Sequence, residues 1–435
     1  MVITTKEQLQ QLYDKLRLNY AFVHVVGSSQ IEHPCINTPS SIHFLFNDGT
    51  YMCYAQNHPD APSFGPLQTY RLQSESSCLI VADKKKTMHY LGEYTPSLVM
   101  DLTVESMLRG RTMPSQDAYV TNGMQNLMRQ FGSFKNVVAA IPLVKWMEFA
   151  HAYLWEMKRL WDDILIENTP SPAGEIFLDH YMIPTLAEIE RNGIYTTDGM
   201  VYSDYNIHTS TGRPSNAFGG INFAALNKND GTRKKFISRF GEHGTLVQFD
   251  YEAFHLRLAA ELMKYMLPTT SVHTYLAEQY YGTTDITPEM YEESKARTFA
   301  IMYGQTEDTG NVDFFKKLRE YQSDLWEKYR QNGFVLSETG RKVVVPQPNN
   351  PAKVFNYLMQ LTETEVSISA IHKVNQYLKN ASAKVVLYTY DAILLDVPNE
   401  ELDNMDMVGL LLTDMKYPVR QYRGHNYDEM TLYKI

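Results

Sequence analysis

Residues 383–398 read AKVVLYTYDAILLDVP and contain two runs of β-forming residues, 385–388 and 393–397. Branched and aromatic residues favour strands, and two such runs separated by a few positions indicate a tight hairpin. The tip of this hairpin carries Tyr390 and Asp391. Aspartate is also common in turns that have no catalytic role, so this position alone does not identify a site.

A second strand that ends in aspartate lies upstream. Residues 246–250 read LVQFD, and the amphipathic stretch AFHLRLAAELMKYM follows at 253–266. Helix capping also explains Asp250, because aspartate is favoured just before a helix. Two strand-end aspartates, however, are what a two-metal phosphoryl-transfer site requires, since carboxylates bridge the Mg²⁺ ions that activate the attacking oxygen and stabilise the leaving oxygen.

Lys295, Phe299 and Tyr303 follow one another at intervals of four residues. On a helix this spacing places them along one stripe, about 12 Å long. A cation followed by two aromatic rings can hold a triphosphate, cover a sugar and stack on a base. Aromatic residues at this spacing more often belong to a core face, but the lysine that heads the stripe and Gly304 that ends it favour a binding site.

These three segments, in this order, resemble motifs A, B and C of the family A DNA polymerases, the bacterial DNA polymerase I type. Residues 250–257, DYEAFHLR, are similar to motif A, D-Y-S-Q-x-E-L-R. Residues 295–304 match motif B, K-x-x-x-F/Y-x-x-x-Y-G, and residues 389–392, TYDA, are similar to motif C, V-H-D-E. Shorter segments also agree in order and spacing, so the resemblance covers about 178–435: IPTLAEIERNGI at 183–194, TGR at 211–213, TGR at 339–341 and NYLMQ at 356–360.

The resemblance implies a template-directed DNA polymerase that adds dNTPs to a primer 3′ end. Asp250 and Asp391 would hold two Mg²⁺ ions, with the Tyr251 carbonyl as an added ligand. The primer 3′ oxygen would attack the α-phosphate of a bound dNTP, and pyrophosphate would leave. The protein would contribute mainly positioning and charge stabilisation.

The same resemblance assigns binding roles. Lys295 would take part in catalysis, by neutralising the triphosphate and protonating the leaving group. Phe299 would pack on the incoming nucleotide, and Tyr303 would lie against the templating base pair. His255 stands where the family has a glutamate that screens the sugar 2′ position. Five residues would contact primer–template DNA: Arg213, Tyr303, Asn356, Gln360 and Arg341.

Three departures from the family pattern affect these expectations. Histidine at 255 can block a 2′-hydroxyl, but its charge differs from that of glutamate, so ribonucleotide discrimination stays open. Tyr291 stands where the family often has an arginine that contacts the triphosphate. Only the 19 residues 194–212 separate Gly193 from Arg213, where the family inserts a long helical thumb. Weak, salt-sensitive DNA binding is therefore expected, and a clamp or thumb-supplying processivity protein is a possible partner.

The sequence predicts an α+β fold with domains at 1–170 and 171–435. By the resemblance, the second is a polymerase palm and fingers, with the fingers at about 265–340 and the thumb absent or reduced. The first stands where the family carries an RNase H-like 3′→5′ exonuclease, but its first strand, FVHVVGS at 22–28, lacks the D-x-E carboxylates. We therefore expect a degenerate, inactive exonuclease-like domain. Its candidate residual ligands are Asp83, Asp101 and Glu105.

The amino-acid composition limits which kinds of protein this chain can be and where it functions. The 435 residues include 40 basic and 50 acidic side chains, a net charge of −10. This balance argues against a small module with a wholly basic surface but allows a local basic channel for nucleic acid. The three cysteines form no CxxC motif, which favours a reducing, cytoplasmic location. The chain shows no apolar run long enough for a membrane span and no signal peptide, so no membrane partner is expected.

Two other functions stay open. The same palm fold could accept ribonucleotides, as a primase-like enzyme or RNA polymerase, because His255 replaces the glutamate. The missing thumb and exonuclease carboxylates suggest a catalytically silent, DNA-binding replisome scaffold. A scaffold, however, has no physical need for Asp250, Asp391 and Lys295 together. The compact form favours a phage or viral origin.

Overall fold

The computed structural model describes the chain except residues 30, 62–66, 68–70, 73–75, 93–98, 110–115, 132–137, 167–171, 228–229, 306–311, 415 and 434–435, and it gives only the backbone of 116–121. The chain divides into two units, Met1–Arg191 and Asn192–Ile435. The predicted boundary at 170/171 falls on residues outside the described ones, and the observed division follows Arg191 instead.

The first unit is built on a mixed sheet with the strand order β3-β2-β1-β4-β5. Its strands are β1 (Tyr20–Gly27), β2 (Pro39–Phe46), β3 (Tyr51–Ala55), β4 (Cys78–Val81) and β5 (Val99–Asp101). β1, β2 and β3 are antiparallel, whereas β4 and β5 continue the sheet in parallel from β1. Residues 40–46 of β2 are all buried, so both faces of this part of the sheet are covered.

Helices surround this sheet. The helix Leu143–Leu165 contributes Tyr153 and Leu154 to one buried cluster with Phe22 and Ile80 of the sheet. The helical segments of the first unit are Lys6–Leu18, Lys84–Leu91, Leu102–Leu108, Gln116–Gln130, Leu143–Leu165, Pro172–Ile176, the π-helical Phe177–Met182 and Ile183–Asn192.

Ion pairs attach the segment 172–191 to the first unit. The ammonium of Lys84 lies 2.6 Å from Asp179, and that of Lys85 lies 2.6 Å from Glu190. Removing one partner of such a pair would leave an uncompensated buried charge, so the pairs hold this segment against the helix Lys84–Leu91. Residues 168–174 contain two prolines and a glycine, which suggests a domain boundary there. The ion pairs explain why the first unit instead continues to Arg191.

The three carboxylates predicted as residual ligands have structural roles. Asp83 and Asp101 are N-caps that accept backbone N–H groups at the start of the helix that follows each of them. Burial raises the pKa of Asp101 to about 7, and the charge of Asp83 adds to the shift. Glu105 forms an ion pair with Arg109 one helical turn away. Helix capping and ion pairing therefore explain why carboxylates stand at these three positions.

The second unit centres on an antiparallel sheet with the order β14-β15-β11-β16-β17. The twelve strands of this unit's described residues are β6 (Ile194–Thr196), β7 (Gly199–Val201), β8 (Tyr205–Asn206), β9 (Ser215–Phe218), β10 (Ile221–Asn222), β11 (Gly244–Tyr251), β12 (Val335–Leu336), β13 (Lys342–Val343), β14 (Lys384–Thr389), β15 (Ala392–Pro398), β16 (Val419–Gly424) and β17 (Thr431–Tyr433). The predicted hairpin is confirmed as β14 and β15.

The helices of the second unit fall in two groups. Three of them, Val272–Tyr281, Pro288–Met302 and Asp313–Asn332, lie within the interval predicted for the fingers. The others are Phe254–Leu262, Pro351–Tyr377 and Met405–Thr413. The stretch 194–212 is described throughout and holds short strands but no helix. The absent or reduced thumb stays a prediction. Among the described helices, none is long and apolar enough to span a bilayer.

Candidate active site

Asp250 lies near the end of one strand of the central sheet, and Asp391 lies in the turn just before the neighbouring strand. Asp250 is the penultimate residue of β11, and Asp391 lies in the two-residue turn between β14 and β15. Strand pairing places Asp250 opposite Ala392. The Tyr251 N–H donates to the Asp391 carbonyl over 2.9 Å. The hairpin therefore brings its aspartate to the strand end that carries the other one.

The turn that carries Asp391 is held from two sides. Tyr390 has a φ of +72°, which is unusual for a residue with a large side chain. The Arg213 guanidinium covers its ring at 3.4 Å from the centroid, and the Ser367 hydroxyl donates to its carbonyl over 3.2 Å. These contacts fix the turn and thus the backbone position of Asp391.

The electrostatics of the pair fit a divalent cation. Asp391 reaches the protein surface, yet its pKa is raised, first because surrounding protein atoms displace water and then by the negative charge of Glu363. Within the described part of the chain, no basic side chain forms an ion pair with Asp391. The described residues hold no larger cluster of histidine, cysteine and carboxylate ligands. One or two carboxylates, with the remaining positions left to water and phosphate, is the donor set typical of Mg²⁺.

Tyr251, the predicted carbonyl ligand, uses its side chain for packing. The phenol is buried, stacks on Phe254 and donates to the Leu412 carbonyl over 2.9 Å. The side chain therefore anchors the end of β11 in the core, and only its main chain remains as a candidate ligand.

The predicted stripe lies along the helix Pro288–Met302 and its C-cap. The rings of Phe299 and Tyr303 are nearly parallel, with an interplanar angle of 9° and centroids 6.1 Å apart. Lys295 and both rings are half-buried, which distinguishes the stripe from a core face. Within the described residues the Lys295 ammonium has no ion-pair partner, which leaves it available to an anion.

Two observations explain why position 304, at the end of the stripe, is a glycine. Its φ is +75°, in the left-handed region that disfavours a side chain. A Cβ at this position would also lie 2.6 Å from the Cβ of Ala352. Gly304 therefore lets the end of the stripe approach the helix Pro351–Tyr377 closely.

A buried carboxylate that the sequence analysis did not single out lies behind these groups. Glu363, on the helix Pro351–Tyr377, is 1% exposed. Its two oxygens lie 3.1 Å from Arg213 Nε and 3.1 Å from His255 Nε2. The other ring nitrogen of His255 is 2.6 Å from the Tyr303 hydroxyl. One carboxylate thus connects the arginine over Tyr390 with the aromatic end of the stripe.

His273 is a second residue that the sequence analysis missed. Its ring centroid is 5.9 Å from that of Phe299 and 6.1 Å from that of Tyr291. Burial lowers its pKa, and the positive charge of Lys295 contributes. A single histidine on the helix Val272–Tyr281 carries no signal of this proximity, because the contacts come from another helix.

Three of the predicted DNA contacts gather around one helix. Gly212 has a φ of +70°, and a Cβ there would lie 2.4 Å from Leu361, so the loop before Arg213 packs tightly on this helix. On the same helix, the Gln360 amide donates to the Asn356 side-chain oxygen over 3.1 Å. Both amides are half-buried and so remain partly accessible.

Arg341 differs from the other predicted DNA contacts. Its side chain is buried, which lowers its pKa, and it lies 3.8 Å from the Glu365 carboxylate. Ser337 and Thr339 donate to the same carboxylate. The local structure therefore gives Arg341 a packing role and does not support the predicted direct DNA contact.

The chain is similar in sequence to known DNA polymerases. No family model matches the chain. DNA polymerase I of Caldicellulosiruptor bescii is 24% identical over 281 residues, which are 53% of this chain and 33% of that protein. The thermostable DNA polymerase I of Thermus thermophilus is 22% identical over 263 residues, 52% of this chain and 31% of that protein. The DNA polymerase of Bacillus phage SP01 is 25% identical over 257 residues, 47% of this chain and 28% of that protein.

A solved structure covers nearly the whole chain. It is the POL domain of Pol1 from M. smegmatis in complex with DNA primer-template and dNTP, with a TM-score of 0.74 and 15% sequence identity. The similarity includes 99% of this chain and 100% of that chain. The fold is that of a DNA polymerase I polymerase domain. The predicted family resemblance and palm-and-fingers fold are confirmed at this level.

The DNA polymerase I fold organises the residues described above. The central sheet of the second unit carries Asp250 and ends beside Asp391, and three helices lie at 272–332. Their assignment as palm and fingers stays a prediction. The chain spans about a third of the length of the DNA polymerase I relatives it matches. The exonuclease-like character of the first unit stays a prediction.

Proposed function

We propose that this chain is a template-directed DNA polymerase that adds dNTPs to the 3′ end of a primer. The observation that carries the proposal is the placement of Asp250 and Asp391 side by side at one end of the palm sheet, joined through the Tyr251–Asp391 backbone hydrogen bond. The similar proteins are named DNA polymerases, and the similar structure was solved with primer-template and dNTP. These names support the reaction class.

Asp250 and Asp391, with the Tyr251 carbonyl, would hold two Mg²⁺ ions. When bound, these ions supply charge neutralisation at the attacking 3′ oxygen and at the leaving pyrophosphate. The protein residues contribute a fixed placement of the two carboxylates, which the hairpin and its contacts to Arg213 and Ser367 provide. A fixed placement keeps the reacting groups aligned without a reorganisation cost during the reaction.

The stripe would bind the nucleotide. Lys295 supplies positive charge to the triphosphate. His273 packs against Phe299 of the same stripe, and its pKa is lowered by burial and by the charge of Lys295. Phe299 would pack on the nucleotide, and Tyr303 would lie against the templating base pair. His255 would face the sugar, held by its contact with Glu363.

Primer–template DNA would contact Arg213, Asn356 and Gln360. Minor-groove contacts suit this role because the groove's acceptor pattern is nearly the same for A·T and T·A pairs, so pair shape is checked without a sequence preference. Arg341 would act indirectly, through its packing beside Glu365. The absence of thumb helices between Gly193 and Arg213 makes a clamp or thumb-supplying partner part of the proposal.

Extension of a labelled primer–template by the full chain tests the proposal. The assay uses Mg²⁺, dNTPs, low salt and high enzyme concentration, with Asp250→Ala and Asp391→Ala beside the wild type. We expect extension by the wild type and none by either variant. Extension that is equal in all three would point to a contaminating polymerase and would refute the proposal.

His255 supports one alternative, a polymerase that accepts ribonucleotides. Repeating the extension with rNTPs separates the two, because a ribonucleotide polymerase would use them as readily as dNTPs. DNA binding without any incorporation would instead favour the replisome scaffold. For the first unit, we propose an inactive exonuclease-like domain, and loss of nucleotides from a labelled 3′ end that depends on Asp101 would contradict it.

A further inference from the structure

Three polar side chains outside the polymerase site form a continuous chain in the first unit. The Cys35 Sγ lies 3.3 Å from Nδ1 of His89, and Nε2 of His89 lies 2.6 Å from the Glu190 carboxylate. They come from the loop between β1 and β2, the helix Lys84–Leu91 and the helix Ile183–Asn192. No part of the proposed polymerase mechanism uses them.

The arrangement has the order of a thiol, a base and an orienting acid. The His89 side chain is 1% exposed and Glu190 is fully buried, so the imidazole is held at both nitrogens in one orientation. A carboxylate on Nε2 keeps the hydrogen there and leaves Nδ1 as the acceptor for the thiol proton. A nucleophile within hydrogen-bond reach of a base that a third group orients is the signature of an activated side chain.

We infer that Cys35 is a nucleophilic thiol activated by His89, and a site of covalent modification by small, soft electrophiles. Cys35 is half-buried, which admits a small reagent. In the reaction with iodoacetamide, the thiol proton passes to His89 Nδ1, the sulfur electron pair forms an S–C bond, and the C–I bond breaks to release iodide. His89 then returns its proton to solvent.

The other thiols of the chain provide internal comparisons. Burial raises the pKa of Cys53 to about 12, and it raises the pKa of the half-buried Cys78 as well. Among the described residues neither thiol is hydrogen-bonded to a histidine, and the Cys78 thiol donates to the Leu79 carbonyl over 3.8 Å. Other titratable groups around the three residues set the background for the pH dependence. The His33 ring lies 5.7 Å from that of His89, and Lys85 pairs with Glu190. Tyr90 interacts electrostatically with Cys35 and with Glu32.

Alkylation of the full chain with limiting iodoacetamide at pH 7, followed by peptide mass spectrometry, tests the inference. We expect Cys35 to react about tenfold faster than Cys78, because activation raises the thiolate fraction above the few per cent of an ordinary thiol. His89→Asn should bring Cys35 to the rate of Cys78, and Glu190→Gln should lower it part of the way. The matched control is His58→Asn, since His58 is a buried histidine of the same unit that contacts the Ile141 carbonyl instead.

Two readouts separate activation from unfolding. Cys53 is buried, so its labelling marks any variant that has lost its fold. If His89→Asn does unfold, the wild-type pH–rate profile decides, because an activated thiol reaches half its maximal rate below about pH 8 and an ordinary one near 8.5 or above. A Cys35 that reacts no faster than Cys78, or that keeps its rate in folded His89→Asn, would show that the three residues form a structural contact only.

Discussion

The Glu363 carboxylate lies 3.1 Å from Nε2 of His255, whose other ring nitrogen contacts the hydroxyl of Tyr303 at the end of the stripe. His255 occupies the motif A position at which the resemblance implies a glutamate. In this chain a buried glutamate from the helix Pro351–Tyr377 stands behind the histidine instead. A negative charge therefore remains in the site. It lies behind His255, on the side away from the place proposed for the sugar.

Substitution of Glu363 tests the importance of this relationship. Glu363→Gln removes the charge that holds Arg213 and His255 but keeps the side-chain volume. We expect the free energy of unfolding to fall by about 1–3 kcal/mol, since a buried ion pair loses one partner while Arg213 stays partly exposed. We expect kcat/KM for dNTP incorporation to fall about tenfold or more, because Tyr303 and Arg213 lose their fixed positions.

Glu365→Gln is the matched control for this substitution. Glu365 lies on the same helix, is buried and faces Arg341, Ser337 and Thr339 rather than His255. Urea unfolding and single-nucleotide incorporation on both variants separate stability from positioning. Equal losses of incorporation in the two variants, or none in Glu363→Gln, would mean that Glu363 does not position the site.

Gly304 should tolerate substitution poorly. Gly304→Ala imposes a side chain at φ +75° and places its Cβ 2.6 Å from that of Ala352. We expect a loss of about 2–4 kcal/mol in unfolding free energy, from backbone strain and overpacking together, and a lower rate of incorporation. Gly333→Ala provides the comparison, since Gly333 has the same φ of +75° but open space around it. Gly333→Ala should lower the unfolding free energy less, because only backbone strain acts at that position. Equal decreases for the two variants would mean that the contact with Ala352 does not contribute.

In the absence of metal, the ionised Asp391 carboxylate should lower the free energy of unfolding relative to an uncharged side chain at this position. Its pKa is raised in the folded protein, so between the unfolded and folded pKa values the folded chain binds more protons. Stability attributable to this group is therefore present at low pH and is lost as pH rises through that interval. We expect Asp391→Asn to unfold at higher urea than the wild type at pH 7 in chelator, with the difference shrinking toward pH 4.

Two additions sharpen this test. The gain from Asp391→Asn should be smaller in a Glu363→Gln background, because the charge of Glu363 contributes to the shift. Mg²⁺ should stabilise the wild type more than Asp391→Asn, as expected for a ligand that binds the folded state. An Asp391→Asn variant that is less stable than the wild type at every pH would contradict the electrostatic account.

The lack of helices at 194–212, where the resemblance places a thumb, predicts weak binding of primer–template. A protein that neutralises few phosphates releases few counterions, and log Kd then changes with log salt by a slope of magnitude below about 5. Fluorescence anisotropy at several NaCl concentrations measures this slope, and extension against excess unlabelled DNA measures processivity. We expect a few nucleotides per binding event. Tight binding with a steeper slope, or long products under these conditions, would show that other parts of the chain supply the thumb contacts.

Local patterns predicted the elements that carry the proposed catalytic groups. The hairpin at 383–398 and the stripe of Lys295, Phe299 and Tyr303 follow from residue type and spacing, and the structure places both as expected. Such patterns are readable because each depends on neighbours within a few residues. The fold itself required the resemblance, since the order of five antiparallel strands from distant segments has no local signature.

The groups missed by the sequence depend on contacts between distant segments. Glu363 lies in a helix that is buried on most sides, and only its pairing with Arg213 and His255 gives it a function in the site. Arg341 carries the charge expected of a DNA contact, but its pairing with Glu365 turns it inward. The end of the first unit at Arg191 likewise depends on buried pairs such as Lys85–Glu190 that no composition shift marks.

The most direct test of the proposed function is the rate of single-nucleotide incorporation by Asp391→Asn against the wild type. The assay uses saturating Mg²⁺, the correct dNTP and enzyme in excess over primer–template, with Asp414→Asn as a control because Asp414 lies at the surface beside Lys373. We predict a loss of about a thousandfold or more for Asp391→Asn and no loss for Asp414→Asn. A folded Asp391→Asn that incorporates the nucleotide at the wild-type rate would contradict the account.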